Sequence, residues 1–361
     1  MEIMGVGSGK VDPGFWNNKK VYLTGHTGFK GSWIALWLQQ MGANVKGFAL
    51  APPTDPALFT VAKVGANMQS DIGNICDYDS LKKSMLSFNP DVVIHMAAQP
   101  LVRYSYINPI ETYQTNVLGT VHVLEAAKNC TNTKAIVSVT TDKCYENKEW
   151  AWGYRENEPM GGHDPYSSSK GCAELVTSAY TKSFFKDNNS ANLASARAGN
   201  VVGGGDWAGD RLIPDILRAF EKSEPVIIRN PLSTRPWQHV LEPLSGYLVL
   251  AQHLYNDGAS FAEGWNFGPK DDDCKTVEWI LTKMQSFWGD GATWQLDKEN
   301  NPHEANFLKL DCSKAKQRLH WEPRWDLNHT LGLIVDWHQK WLNKENMNQV
   351  CIQEIENYNK N

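Results

Sequence analysis

With 361 residues, 42% hydrophobic and 21% charged, the chain has enough material for a full core, in two domains or one large domain with an elaborated second lobe. A net charge of -5 excludes a nucleic-acid surface and gives anionic ligands no general attraction, so any phosphate site must be built locally. Seven scattered cysteines without ligand spacing point to reduced thiols and no metal site. Residues 1–10 lack the apolar core of a signal peptide and no apolar run reaches membrane-spanning length, so no membrane partner and a cytoplasmic location are expected.

Residues 20–24 form a short apolar strand signal. Gly25-His26-Thr27-Gly28-Phe29-Lys30-Gly31 follows, and then an apolar-periodic helix over 32–41. Glycines between a strand and a helix allow a tight turn and close backbone approach, so a pyrophosphate can rest on the helix's free N–H groups and positive end. The spacing is G-x-x-G-x-x-G, and by itself it is also compatible with plain packing. Residues 43–50 read as the second strand. An acid at its end takes the adenosine ribose in many NAD enzymes, but here Phe48-Ala49-Leu50 stands in that place. No Arg or Lys stands there for a 2′-phosphate, so NAD is expected over NADP. Residues 54–65 read as a loop that shifts with ligand.

Gly73-Asn74-Ile75 precedes a helix over 80–88, and residues 91–95 read as the fourth strand. Arg103 falls in a loop, where it either touches substrate or caps a surface. A helix spans roughly 109–130, and a buried strand over 135–140 delivers Thr141, Asp142 and Lys143. Residues 145–164, polar and aromatic, suit an ordered active-site loop. A helix from Tyr166 to about 185 then carries Tyr166-Ser167-Ser168-Ser169-Lys170. Tyr and Lys four apart project from one helix face. There the ammonium can lower the phenol from about 10 toward neutrality, giving a general base at physiological pH, while Thr141 holds the substrate oxygen. Alone, Y-x-x-x-K also describes two surface residues.

The alternation of strand and helix up to this point predicts an α/β fold with a doubly wound parallel sheet of Rossmann type. Residues 15–195 are expected to form the dinucleotide-binding domain and 196–345 a smaller mixed α/β lobe for substrate, interleaved with the first. Residues 346–361 are a polar tail that either packs as a last helix or frays. The later half reads as a strand over 193–197, a glycine turn at 203–207, helices over 241–255, 277–287 and 327–343, and short strands between them. Arg211 and Arg235 are forks suited to phosphate oxygens, or else partners in surface or interdomain salt bridges.

Thr24 to Gly31, His95-Met96-Ala97-Ala98-Gln99, Asn116 to Thr120, Thr141 to Tyr145, Gly153 to Asn157, Tyr166 to Lys170, Arg197 to Asn200 with Gly203 to Trp207, and Arg235 to His239 together resemble the extended short-chain dehydrogenase/reductase family. Within it, they resemble the nucleotide-sugar 4,6-dehydratases. The resemblance implies an NAD site made by Gly25, Thr27, Gly28, Phe29 and Lys30, with Asn74 and Ile75 at the adenine, Ala97, Ala98 and Gln99 beside the phosphates and nicotinamide ribose, and Tyr166 and Lys170 at the nicotinamide. Asn74 stands where the family often has Asp, and a simple turn is its other reading. Asn116 matches a structural Asn that braces a neighbouring strand. A nucleotide-sugar would be held by Asn200, Arg211 and Arg235, with Arg103 nearby and Trp237 lining the base pocket.

The implied reaction oxidises carbon 4 through Tyr166, Lys170 and Thr141, loses water across carbons 5 and 6 with Asp142 as the acid, and returns the hydride to carbon 6. Many relatives carry Glu beside that Asp as the carbon 5 base. Lys143 replaces it here, matching the branch that acts on CDP-glucose, and a lysine can serve only where burial or nearby cations keep part of it neutral. The expected setting is deoxysugar biosynthesis for lipopolysaccharide O-antigen, and the expected assembly a homodimer or homotetramer through helices 109–130 and 166–185. A 4,6-dehydratase or 4-epimerase for another nucleotide-sugar, and a nucleotide-sensing regulator, are the rivals; the Asp142-Lys143 pair speaks against the epimerase.

Overall fold

A computed structural model of the chain describes residues 9–187, 190–297 and 308–360. Residues 1–8, on which most of the signal-peptide reading falls, and Asn361 lie outside the described residues. Seven parallel strands form the central sheet: β1 (Lys20–Thr24), β2 (Asn44–Ala49), β3 (Gln69–Ile72), β4 (Val92–His95), β5 (Ala135–Val139), β6 (Asn192–Arg197) and β7 (Gly264–Asn266). Their spatial order is β7-β6-β5-β4-β1-β2-β3. β4 and β5 are buried at every position, as expected of parallel strands covered by helices on both faces. The order reverses between β1 and β4, which opens a crevice at their carboxyl ends where open α/β sheets bind ligands. The glycine turn, Ala97-Ala98, the exit of β5 and the Tyr166 helix (Pro165–Ser183) all meet that end.

The two halves of the chain interleave. β7 comes from the later half yet extends the sheet beyond β6, in register from Gly264 opposite Ser195 to Asn266 opposite Arg197. The helix Leu241–Asn256, buried along most of its length, packs on β5 and β6. The smaller lobe has its own core of Ile216, Phe220, Ile280, Met284 and Leu331, gathered by helices Leu212–Glu221, Val277–Trp288 and Leu327–Leu342. The tail does not fray: Met347–Lys360 is a helix that buries Cys351, Ile355 and Tyr358 against the glycine-turn helix Phe29–Gln40. The Tyr358 hydroxyl donates to Glu242 Oε2 at 2.6 Å.

Three expectations change. Residues 54–65 are not a free loop, because Leu58, Ala62 and Val64 are buried on the short turns Leu58–Val61 and Val64–Asn67. Arg103 lies on a short helix, Val102–Ile107, whose Ser105 Oγ accepts from Tyr166 N at 3.2 Å. The long helix over 109–130 is broken by a wider π-type turn, Gln114–Leu118, around the buried Asn116. All seven cysteines are free, none of the described helices is long and apolar enough to cross a membrane, and no cluster of potential metal ligands occurs among the described residues.

Candidate functional site

The glycine turn is built for close approach. Gly25 has φ +79°, and a Cβ there would sit 2.8 Å from Ala97 N, so only glycine joins β1 to the β4 exit this tightly. A Cβ at Gly31 would lie 2.0 Å from Gly25 O. Gly28 is the N-cap of the twelve-residue helix and provides no side-chain cap, leaving the first N–H groups of the helix, with Phe29 and Lys30, to bind an anion. Thr27 Oγ1 is tied to Leu50 O at 2.8 Å. These features fit a pyrophosphate. Lys30 is enclosed beside Lys170 and Arg211, and burial together with those cations lowers its ammonium to about 7.

Several expected cofactor contacts have structural duties. Asn74 Oδ1 accepts from Cys76 N at 2.9 Å, closing the turn ahead of helix Tyr78–Phe88, with its amide NH2 and second lone pair not used by that bond. Ile75 is buried, and its carbonyl bonds His122 Nδ1 at 2.9 Å. Gln99 is not turned toward a ligand, because its amide donates to Thr112 Oγ1 at 2.9 Å and its carbonyl accepts from Leu101 N. Asn116 braces this segment, accepting from Gln99 N at 2.9 Å and donating to Gln99 O and to Ser169 Oγ. Ala97 and Ala98 are half-buried at the crevice.

Thr141, Asp142, Tyr166 and Lys170 come together at the exit of β5. The Tyr166 hydroxyl shares a hydrogen bond with Thr141, and Thr141 Oγ1 donates to Asp142 Oδ1 at 2.9 Å. Lys170 Nζ donates to Val139 O at 3.3 Å. The expected acidification of Tyr166 is absent: burial pushes the phenol up to about 12, with Thr141 and Arg211 opposing and Asp142 and Asp164 adding to the rise. Burial also draws Lys170 down to about 8. Loss of water raises the cost of charge on both groups, and burial is the largest cause of each shift. Asp142 is buried too, and burial raises its carboxyl against the pull of Lys143, Thr141 and Arg235. A carboxyl raised in this way is the better proton donor. Lys143 is exposed, so the burial a neutral amine needs is not supplied by the chain.

The second lobe faces this cluster. Arg211 acts on Tyr166 and Lys30, and Arg235 on Asp142. Arg211 Nη1 is held by Asp206 Oδ2 at 3.0 Å, and Arg103 Nη1 by Asp210 Oδ1 at 3.2 Å. Asn200, at φ +28°, leaves β6 beside Asp142, and its carbonyl accepts from Gln238 N at 3.2 Å. Trp237 is buried among the core residues of the smaller lobe, and its indole N–H has no partner among the described residues. Gly199 was missed in the sequence. A Cβ there would lie 2.0 Å from Asp142 Oδ2, so glycine makes the space for that carboxyl. Gln238 fixes the same turn, donating to Gly199 O at 3.2 Å and Phe267 O at 3.0 Å.

Comparison with known proteins bears on this arrangement. The family model described as GDP-mannose 4,6 dehydratase matches residues 23–332. The CDP-glucose 4,6-dehydratase of Salmonella typhimurium strain LT2 is 62% identical over 352 residues, covering 96% of this chain and 98% of that protein. Among solved structures, the UDP-glucose 4-epimerase of Thermotoga maritima with UDP-glucose superposes with a TM-score of 0.77 at 21% identity, over 90% of this chain and 99% of that one. The UDP-glucuronic acid 4-epimerase of Bacillus cereus, in complex with UDP-glucuronic acid and NAD, gives 0.77 at 22%, over 89% of this chain and 99% of that one. At these identities the two structures speak for the fold.

Proposed function

The chain belongs to the nucleotide-sugar 4,6-dehydratases, the family of the GDP-mannose 4,6-dehydratase model, and we propose that it converts CDP-glucose to CDP-4-keto-6-deoxyglucose with NAD. The choice of nucleotide rests on the 62% identity to the Salmonella enzyme. The observation that carries dehydration rather than epimerisation is Asp142, a buried carboxyl held toward its protonated form at the Tyr166 end of the crevice. An epimerase has no use for such an acid.

The residues divide the work as follows. The N–H groups after Gly28 receive the dinucleotide's pyrophosphate, and Lys170 holds its nicotinamide ribose. A bound NAD would supply the acceptor for the hydride of carbon 4 and its donor to carbon 6, and its positive charge would favour the phenolate that burial disfavours. Thr141 orients the 4-hydroxyl and Tyr166 takes its proton. The ketone acidifies the carbon 5 proton, and Asp142 protonates the departing 6-hydroxyl. Lys143 is the carbon 5 base in this scheme, with the sugar itself supplying the desolvation. Arg211 and Arg235 bind the sugar's diphosphate, with Asn200 beside it.

Incubation with CDP-glucose and NAD, followed by alkali, should develop the absorbance of a 4-keto-6-deoxy product, with UDP-, dTDP- and GDP-sugars in parallel. Turnover confined to another nucleotide rejects the CDP assignment, and a 4-epimer without dehydration rejects the reaction. Exposed Ile110, Leu118, Leu175 and Phe184 on the two outer helices also favour a homodimer through that face, which Ile110→Lys should dissociate in light scattering.

A further inference from the structure

One side of the Tyr166 helix is registered against the strand exit at three levels. Tyr166 meets Thr141, Lys170 reaches Val139 O, and Glu174, one turn further on, accepts from Thr140 Oγ1. Residues 166, 170 and 174 lie four apart and so share a face. Glu174 is 4% exposed and its carboxylate is fully engaged: besides Thr140 it accepts from Ser195 Oγ at 2.6 Å and pairs with Arg197 Nη2 at 2.6 Å. Arg197 is buried as well, and passes the link on to the Tyr145 hydroxyl at 2.6 Å and to Glu156 O at 3.0 Å. That hydroxyl donates to Asn266 Oδ1 at 2.7 Å on β7. The cluster thus joins the Tyr166 helix, β5, β6, β7 and the 145–164 loop behind the pocket, where no ligand reaches.

We propose that Glu174 is the positioning residue of this active site, fixing the helix turn that carries Lys170 in register with Tyr166 and the exit of β5 through Thr140 and the buried pair with Arg197. A buried ion pair adds little net stability over apolar residues of equal volume, so its presence here calls for another use. Of the titratable groups around Lys170, Glu174 and Cys144 favour its charge, while Lys30 from the glycine-turn helix and His95 from β4 are close enough to feel that charge. Cys144 is fully buried and its thiol is held neutral, so Glu174 is the anion that counts. The role belongs to the proposed reaction, but its test needs no sugar nucleotide.

In protein carrying lysine labelled with nitrogen-15 at Nζ, assigned by Lys170→Arg, Glu174→Gln should move the Lys170 titration down by about one unit or more. Glu174→Asp should bring it back to within about half a unit of the unmodified protein. The alkaline limb of the kcat profile should shift by the same amount, with KM for the sugar nucleotide changed less than about threefold. Should the unpaired Arg197 prevent folding, Glu174→Gln combined with Arg197→Met removes both charges and should show a downward shift in the same direction but smaller, because the opposing guanidinium charge is removed as well. A folded variant whose Lys170 titrates as before overturns the proposal, as does a kcat lowered equally at every pH. Failure of CDP-glucose turnover would leave the titration readable, so the two readings fail separately.

Discussion

The exit of β5 and the loop that carries Arg211 line one pocket on opposite terms. At the exit, Thr141, Asp142, Tyr166 and Lys170 are buried and bonded to one another or to the backbone before any ligand arrives. Across from them, Arg211 and Arg103 are a third or more exposed and held by carboxylates, Asp206 and Asp210. The first region is preorganised, so that its dipoles need not reorient as the reaction proceeds. The second is exchangeable to different degrees: the exposed Arg103–Asp210 pair contributes only ~0–1 kcal/mol, whereas Asp206 is 8% exposed and gives up Arg211 when a diphosphate takes its place on the guanidinium. Substitutions at the exit should therefore strike kcat, and those on the arginine loop should strike KM.

The largest effect should follow Tyr166→Phe, which removes the base and should lower kcat about 10³-fold in steady-state assays. Equal losses in kcat and in nucleotide-sugar binding would break the contrast. Asp142→Asn should sharpen it further, retaining oxidation at carbon 4, read as reduced cofactor, while the 4-keto-6-deoxy product falls roughly 10²-fold or more. Unchanged turnover would remove Asp142 from the mechanism. Gly199→Ala touches no ligand, yet its Cβ would lie 2.0 Å from Asp142 Oδ2. A carboxyl displaced by about 1 Å should cost about 10²-fold in kcat with KM nearly constant.

The preorganised region was also the more legible in the sequence. Apolar runs mark β1 and β5, the glycines mark the turn between them and the crevice, and Tyr166 and Lys170 declare a shared face through spacing alone. The exchangeable side was less so, because an arginine's partner is set by tertiary contacts that spacing does not reveal. β3 had a place in the strand count but no residues, because Gln69-Ser70-Asp71-Ile72 is an edge strand, mostly exposed and without the apolar pattern of a core strand. Gln99 was assigned to the cofactor by neighbourhood, but a buried amide takes the nearest backbone and hydroxyl partners. Gly199 was hidden by its commonness: 28 glycines occur in the chain, and only the fold brings this one against Asp142.

On the arginine side, Arg211→Met should raise KM for the nucleotide-sugar roughly tenfold, the worth of a charged hydrogen bond, while kcat stays within about threefold. Asp206→Asn should move KM the other way and by less, since it frees the guanidinium from a competitor while the side-chain oxygen can still accept from Ala208 N. A kcat effect from either that exceeds its KM effect would place Arg211 among the reacting groups and blur the contrast.

The smallest effect expected concerns stability, and it too divides the regions. His95 and His26 are buried beneath the crevice, His95 between Thr24 Oγ1 at 2.8 Å and Thr120 Oγ1 at 3.1 Å, His26 against Ser70 Oγ at 2.7 Å. Burial lowers His95 to about 3 and His26 to about 4, with Lys170 adding to the first and Asp71 opposing the second. Both pKa values are depressed below the unfolded value of about 6.5, so between those limits the unfolded chain binds protons that the folded one refuses. The stabilisation is complete above about pH 6.5 and is lost as pH falls from there toward 4. Tm should decline over that window, and His26→Asn should flatten the decline in part, because one of two proton-refusing sites is gone. An unchanged slope would mean that His26 already takes up its proton in the fold, and that the turn beneath the dinucleotide is less rigid than its hydrogen bonds imply.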